Sequence, residues 1–378
     1  MPQRLRYADN LKTLLIAAII AVHAVLGYAS AVEVWTYAPF REVTLADETQ
    51  LVLFVGVGPF ALFVIPLFFL VAGLLTPGSL ERKGARAFVK ARLVRLGVPF
   101  LVFVLLVQPL LKYALVHRVD PGGPYADSSF RDMVLVEGRL DTGPLWFVGV
   151  LLVLSLGYAA WARRPGRSAL PAPEAPPLTR LLLVAAPVAA ASYAIRAFYP
   201  YGSESGPTDL NLWEWPACLA VFAVGVAGAH GRLATSVPAA LSTACRTATL
   251  GAAGAMAGLM VVVVLLDRVD EALGGWAWPA AAFAVIEAVL TLTGSVWLLD
   301  LAQRHLDRGF PGDRVLNPAA YGAFMLQTVF LLGLAVLLRP LGTSAEVKAL
   351  LLATTAVLCS FAAALLVVRA VPAVRHLR

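Results

Sequence analysis

Long apolar segments recur along the whole chain, and each is close to the 20 or so residues that a helix needs to cross a bilayer. They cover 11–30, 52–75, 95–116, 145–162, 178–197, 213–230, 247–266, 277–300, 318–338 and 346–369. Charged residues make up only 14% of the chain, whereas soluble domains have about 25%. The sequence predicts an all-α, polytopic integral membrane protein of about ten transmembrane helices, with residues 1–378 as a single membrane-embedded domain.

Lysine and arginine are distributed unevenly between the two sides of these segments. Of the 30 basic residues, 21 lie on the side of the N-terminus and nine on the other side or at its margin. Basic residues are enriched in cytoplasmic loops, and an even number of spans places both termini on one side. We therefore expect both termini to be cytoplasmic, in a cell membrane. The first segment is long enough to span, so we expect it to be retained and not cleaved as a signal peptide.

The first segment has a cation at its entrance and an imidazole inside it. Lys12 and His23 are eleven residues apart, which is about three helical turns, so their side chains share one face and His23 lies roughly 16 Å deeper. An ionisable residue at that depth indicates a functional site. Lys12 could hold an anionic donor while His23 acts as a general base or acyl relay. The alternative is an anchoring lysine and a structural histidine that bonds a neighbouring helix.

Basic residues are concentrated between the second and third segments, in a stretch that we predict to be a loop. They are Arg82, Lys83, Arg86, Lys90, Arg92 and Arg95. Their spacing is typical of a face that binds phosphate groups. The alternative is a topology signal that touches anionic lipid headgroups.

Three further residues are candidates for the site. Glu287 lies in the middle of the eighth segment and needs a partner there; it could polarise His23, bind substrate hydroxyls or be a protonated structural carboxyl. Trp146 and Arg196 lie at the outer ends of helices, where they could bind a sugar acceptor or belong to an interfacial aromatic belt. The spacing of Cys218, Cys245 and Cys359 indicates no metal site, and no nucleic-acid motif is present.

Six landmarks in chain order resemble the acyltransferase-3 family of membrane acyltransferases, which O-acylate carbohydrates and similar acceptors. They are Lys12 followed after ten residues by His23, and residues 68–73, 92–99, 143–147, 222–225 and 321–326. Three positions depart from the family pattern. Ala72 stands where the family usually has Ser, Gln327 where the last landmark usually has His, and Pro144 where the residue is often polar.

The resemblance implies transfer of an acyl group, usually acetyl from acetyl-CoA, to a hydroxyl of a carbohydrate or lipid-linked acceptor. By this similarity His23 is catalytic, Gln327 lies in the substrate site, and no cofactor is bound tightly. The CoA phosphates would be held by Lys12, Arg82, Arg86, Arg92 and Arg95. Two alternatives remain. One is a proton-coupled transporter that uses His23 and Glu287, and the other is a family member that acts as a membrane scaffold. The oligomeric state is left open.

Overall fold

The helices follow the apolar segments because a peptide backbone inside a bilayer must satisfy its own N–H and C=O groups. The computed structural model describes residues 5–30, 37, 41–119, 127–136, 139–164, 175–203 and 209–370. Its long helices are α1 (Arg6–Leu26), α2 (Asp47–Lys83), α3 (Ala85–Val119), α4 (Gly143–Ala162), α5 (Leu178–Arg196), α6 (Leu212–Gly228), α7 (Ala239–Leu265), α8 (Trp278–His305), α9 (Asp313–Leu338) and α10 (Ala345–Ala370). Within these described ranges, every one except the shorter α6 is long and apolar enough to cross a membrane. The predicted all-α polytopic membrane fold is confirmed.

Several of these helices change their pitch along their length. π-helical turns lie in α2 at Leu53–Val57, in α3 at Leu93–Gly97 and Phe103–Val107, and in α8 at Leu290–Gly294. α4 and α6 begin with 3₁₀ turns, at Gly143–Leu145 and Leu212–Glu214. Single π turns inside α-helices are frequent at functional sites, and two of the predicted site residues lie in or near such turns. Arg95 lies within one, and Glu287 comes three residues before another.

The connections contain short elements only. Helical turns lie at Phe130–Val134, Arg232–Thr235 and Val269–Leu273. The strands β1 (Leu135–Val136) and β2 (Arg139–Leu140) form an antiparallel pair, with Leu135 opposite Leu140. Both strands lie in the connection 118–143 between α3 and α4, of which 120–126 and 137–138 are outside the described residues. The composition of 163–177, rich in proline, alanine and arginine, predicts a flexible linker, and most of it, 165–174, is also outside the described residues.

The helices extend beyond the apolar segments where polar residues continue the helical hydrogen bonding. α1 runs from Arg6 to Leu26 and not from 11 to 30, and α3 begins at Ala85 and not at 95. The prediction of a basic loop was therefore wrong, because Gly84 is the only residue between α2 and α3. Its φ of 72° lies in the left-handed region that glycine adopts without strain. Hydropathy marks the apolar part of a helix and does not detect such polar ends.

α2 and α6 cross at two glycines. A Cβ atom on Gly73 would lie 2.3 Å from the carbonyl oxygen of Phe222, and one on Gly225 would lie 2.3 Å from that of Leu70. The two backbones are therefore in direct contact, which small residues permit between membrane helices. Two of the sequence landmarks, residues 68–73 and 222–225, are the two sides of this crossing.

The bundle has a basic end, where α1 begins and Gly84 lies, and the connection from α1 to α2 packs at the opposite end. Glu42 in that connection accepts hydrogen bonds of 2.7 Å from the Tyr37 hydroxyl and from Nζ of Lys348 on α10, and Arg339 Nη1 lies 3.7 Å away. Burial alone would raise the pKa of Glu42, but these partners outweigh it and lower that pKa. The connection is thus fastened to the ends of α9 and α10.

Candidate functional site

His23 is hydrogen-bonded to α9. Its Nδ1 lies 3.0 Å from Oε1 of Gln327, a residue whose side chain is fully buried. An amide oxygen only accepts hydrogen bonds, so Nδ1 donates in this bond. When the ring is neutral, its lone pair is then on Nε2. Gln327 therefore holds the ring in the tautomer that can accept a proton at Nε2.

α1 and α9 run in the same direction with a constant register. Thr13 Oγ1 donates to Oδ1 of Asn317 at 2.7 Å, and the contact of His23 with Gln327 lies ten residues further along both helices. Each pair is separated by 304 residues in the chain. Ten helical residues span about 15 Å, so the two contacts fix the helices at two well-separated levels.

Asn10 anchors the beginning of α1 at the basic end. Its Nδ2 donates to the carbonyl oxygens of Leu306 at 2.7 Å and Arg308 at 3.1 Å, and its Oδ1 accepts from Nδ2 of Asn317 at 2.7 Å. The side chain is only 1% exposed. Sequence reasoning missed Asn10 and Asn317, although an amide at an apolar helix end needs partners and was a signal that could have found them.

His23 lies in the last turn of α1, which ends at Leu26. Gln327, by contrast, is eleven residues from the end of α9. The imidazole is therefore level with the middle of α9. It follows that α1 ends about 12 Å before the end of α9. Irregular backbone at such a depth is tolerated where it is buried in protein. Tyr28 and Leu45, two of the described residues that follow α1, are buried.

The cation predicted at the entrance has a partner. Lys12 Nζ lies 2.8 Å from Oδ1 of Asp9, and the lysine side chain is 37% exposed. A pair at this exposure contributes little to stability, about 0–1 kcal/mol. An anionic ligand would therefore compete with Asp9 for Lys12 at a small cost.

The basic residues at the end of α2 and the beginning of α3 form a largely exposed face, called the basic face below. Arg82, Arg86 and Arg95 are exposed to solvent. Arg92 is half-buried, its guanidinium carbon lies 5.1 Å from the centre of the Phe88 ring, and its Nη2 donates to Thr76 Oγ1 at 3.3 Å. This arrangement combines one guanidinium held by contacts with three exposed ones.

α9 also contacts this basic face. The Tyr321 hydroxyl donates to the carbonyl oxygen of Arg95 at 3.0 Å. Tyr321 lies between Asn317 and Gln327 on the same helix. α9 therefore connects the basic face, the beginning of α1 and the imidazole of His23.

The structure places Glu287 with Arg196 and not with His23. Glu287 Oε1 lies 2.7 Å from Arg196 Nη2, and both side chains are 1% exposed. α1 packs mainly against α9 and α10 and meets α8 in its Ser295–His305 part, whereas Glu287 lies earlier on α8 and faces α5. Among the described residues no hydrogen bond joins Glu287 to His23, and the two groups that the transporter alternative requires lie in separate clusters.

Trp146 and Phe147 connect these two clusters across α4. The Trp146 ring centre is 6.4 Å from that of Trp213, which lies beside Arg196, and the Phe147 ring centre is 4.8 Å from that of Phe324. Phe324 precedes Gln327 by three residues on α9. One helix therefore forms a wall of both clusters, and the sequence did not predict this arrangement.

The beginning of α4 is held by Asp141. This carboxylate accepts from the Gly143 N–H at 2.8 Å and from Gln108 Nε2 at 3.1 Å, and it pairs with Lys112. Burial raises the pKa of Asp141, but the positive charge of Lys112 and these hydrogen bonds outweigh burial, and the net pKa is lowered. Asp141 therefore fixes the first turn of the helix that carries Trp146.

The fold and the partly buried imidazole define a multi-pass membrane protein with a polar site inside its helix bundle. The family model described as an acyltransferase domain matches residues 5–369. The chain belongs to this acyltransferase-3 family and is an acyltransferase, as the sequence landmarks predicted. No curated protein and no solved structure matches the chain.

Proposed function

We propose that the chain is a membrane-bound O-acyltransferase. It moves an acyl group, acetyl in the simplest case, from cytoplasmic acyl-CoA to a hydroxyl of a carbohydrate or lipid-linked acceptor. The observation that carries this proposal is the hydrogen bond between His23 and Gln327, because a neutral ring that donates from Nδ1 has its lone pair on Nε2. Family membership supports the reaction class.

The reaction can use this nitrogen in two ways. As a general base, Nε2 of His23 takes the proton of the acceptor hydroxyl while the hydroxyl oxygen attacks the thioester carbonyl carbon. The carbon–sulfur bond then breaks, an ester forms, and the CoA sulfur leaves as a thiol with the proton from the imidazolium. As an acyl relay, the same nitrogen first attacks the thioester and takes the acyl group while the C–S bond breaks and the CoA sulfur leaves as a thiolate. The acceptor hydroxyl then attacks the acyl-imidazole, the ester forms, the imidazole is regenerated, and the hydroxyl proton ends on the CoA thiol. Both routes start from the tautomer that Gln327 selects.

The donor would bind at the basic end of the bundle. Its phosphates would contact the basic face and the entrance of α1, through Lys12, Arg82, Arg86, Arg92 and Arg95. The pantetheine arm would then reach about 16 Å along α1 to His23. The distribution of lysine and arginine supports a cytoplasmic position for this end and for both termini. Acyl-CoA is thus a substrate, and no tightly bound cofactor is needed.

The test measures donor binding and donor cleavage separately on the purified protein in lipid nanodiscs. Titration calorimetry gives the Kd for acetyl-CoA, and release of the CoA thiol with octyl β-D-glucopyranoside present gives the transfer rate. We expect His23→Ala to bind acetyl-CoA with a similar Kd and to lose at least about 100-fold in rate. Wild-type turnover by His23→Ala, or no binding of acetyl-CoA to the wild type, would overturn the proposal.

A matched pair of variants localises the donor site. Lys12→Ala should raise the Kd for acetyl-CoA several-fold, because it removes a cation from the entrance of α1. Arg180→Ala removes an exposed cation at the same end of the bundle but outside the basic face, so its Kd should stay at the wild-type value. Equal effects of the two substitutions would show only a general dependence on charge and would contradict this donor site.

A further inference from the structure

A buried ionic cluster lies where α5, α6 and α8 meet. Arg196 on α5 and Glu287 on α8 form its ion pair, with 2.7 Å between Nη2 and Oε1. Glu214 on α6 is 4% exposed and interacts electrostatically with both. Two carboxyl groups thus face one guanidinium. The acyl transfer proposed at His23 uses none of these groups.

The charges of this cluster do not balance if both carboxyl groups are ionised. Among the described residues, Glu287 and Arg196 are the charged groups that act on Glu214, and those of α2 and α4 add none. Tyr201 after α5 and Cys218 on α6 also interact with the cluster, but a phenol and a thiol carry no charge near neutral pH. One cation between two carboxylates would leave a net negative charge in the interior, which is strongly unfavourable. The cluster is neutral only if one carboxyl group holds a proton.

The contacts assign this proton to Glu214. Oε2 of Glu214 and Oε2 of Glu287 are both buried without a hydrogen-bond partner among the described residues, but Glu287 has a cation on its other oxygen. A buried polar group without a partner costs more when it is charged. The proton therefore removes the larger cost when it is on Glu214, and the ion pair with Arg196 remains intact.

Arg196 keeps its charge because several groups surround it. Its Nη2 donates to the carbonyl oxygen of Trp213 at 3.2 Å as well as to Glu287. The guanidinium carbon lies 4.8 Å from the centre of the Tyr201 ring and 5.2 Å from that of the Phe283 ring. Aromatic faces stabilise a guanidinium that has little contact with water. The single positive charge therefore stays in the cluster and neutralises one carboxylate only.

The backbone turn that carries Glu214 is fixed by its two neighbours in the chain. Trp213 Nε1 donates to the carbonyl oxygen of Ser203 at 3.2 Å, and Trp215 Nε1 donates to that of Leu210 at 2.8 Å. The Glu214 N–H donates to the carbonyl oxygen of Asn211 at 2.9 Å. The carboxyl group is therefore held in the interior by the turn, whether it is charged or neutral.

We propose that this cluster binds one exchangeable proton, which is carried by Glu214. A proton needs no cavity for a ligand. When Glu214 loses the proton, α6 presents a second carboxylate to Arg196, and this carboxylate competes with Glu287. The proton thus determines whether the guanidinium of α5 pairs with α8 alone or is shared with α6. Glu214 lies where α6 begins, at the end of the bundle opposite the basic end, so the proton exchanges at that end.

The first experiment detects the proton by infrared spectroscopy of the full chain in a detergent without ester groups. The C=O stretch of a protonated carboxyl group is separate from the bands of carboxylates. At pH 7 we expect such a band in the wild type, its loss in Glu214→Gln, and its shift in D₂O. Glu271→Gln changes an exposed carboxylate that is paired with Arg268, and the band should remain in this control. A wild type without the band, or Glu214→Gln with the wild-type band, would overturn the inference.

A second variant tests whether the two carboxyl groups share one cation. Glu287→Gln removes the competing carboxylate, so Glu214 should ionise and pair with Arg196. The protonated-carboxyl band should then disappear although Glu214 is still present. A band that persists in folded Glu287→Gln would contradict the shared cation.

Melting curves provide a measurement that does not depend on the second variant. Unfolding exposes Glu214 to water, where a glutamic acid loses its proton at about pH 4.3. Between pH 5 and pH 7 the folded protein then holds one proton more than the unfolded chain, so raising the pH favours unfolding. Over this range the melting temperature of the wild type should fall by several degrees relative to that of Glu214→Gln. Parallel curves would overturn the inference.

This inference does not rest on the proposed function. In the transfer at His23 the hydroxyl proton ends on the CoA thiol, so the reaction takes no net proton from the cluster. If His23→Ala loses thiol release while Glu214→Gln keeps the wild-type band, only the proton site is refuted. If the band behaves as expected and acetyl-CoA does not bind, only the proposed function is refuted.

Discussion

His23 and Gln327 are joined by a hydrogen bond of 3.0 Å across 304 residues of the chain. The acceptor is an amide where members of the family usually have a second imidazole. An amide oxygen cannot take up a proton in the physiological pH range, so it orients the His23 ring without sharing its titration. The proposed base is thus a single imidazole with a fixed tautomer.

The first prediction concerns this acceptor. Gln327→Leu removes it and should lower kcat at least about tenfold, because the ring loses its preferred tautomer. The KM for acetyl-CoA should change little, since Gln327 lies away from the basic face. Gln327→His restores an acceptor and should keep kcat within a few-fold of wild type.

The control for this prediction is the neighbouring residue. Thr328 is buried next to Gln327 but faces another direction on α9, so Thr328→Val should keep wild-type kcat. Thiol release from acetyl-CoA measures all three variants. A leucine variant with unaltered kcat would show that Gln327 does not position the base.

The second prediction concerns the crossing of α2 and α6. Gly73→Ala should lower the melting temperature in detergent by several degrees, because the added methyl group would lie 2.3 Å from a backbone oxygen and must separate the helices. Gly254→Ala is the matched control, since a Cβ atom there has no neighbour within 4 Å. Alanine is favoured over glycine in helices by about 0.5–1 kcal/mol, so the control should be neutral or stabilising. Similar melting temperatures for the two variants would contradict the close contact.

The third prediction concerns the pH dependence of Asp141. Its pKa in the folded protein is below the ordinary value of 3.8, so the carboxylate stabilises the fold fully above about pH 4 and loses this effect as the pH falls through the lower folded pKa. Asp141→Asn removes the charge at every pH. The wild type should therefore melt several degrees above the variant at pH 7, and this difference should shrink below pH 4.

Asp132→Asn serves as the reference for that measurement. Its pKa is also lowered, by hydrogen bonds from Ser129, but the residue is exposed and pairs only within its own loop. Its effect on melting should be small at every pH. A constant difference between wild type and Asp141→Asn down to pH 3 would contradict the role assigned to Lys112.

The helices were predictable because hydropathy is a local property. In the described ranges nine of them have the length and composition of a membrane crossing, and α6 is shorter. The landmarks led to the prediction that His23 and Gln327 are site residues, but they did not predict the contact between the two side chains. The pair of Arg196 and Glu287 was beyond prediction, since it depends on which faces of α5 and α8 meet across 91 residues. Hydropathy also could not show that α1 begins at Arg6. The first residues of this helix are polar, and a residue such as Asn10 is buried there because its side chain finds hydrogen-bond partners.

The constant register of α1 and α9 has a mechanical consequence. Sliding one helix along the other by a single residue would displace the imidazole by about 1.5 Å and rotate its partner by about 100°. The contact of Thr13 with Asn317 opposes both movements from about 15 Å away. Alignment of the nitrogen that we propose as the base is therefore also set near the beginning of α1, by uncharged groups that take no part in the proposed chemistry.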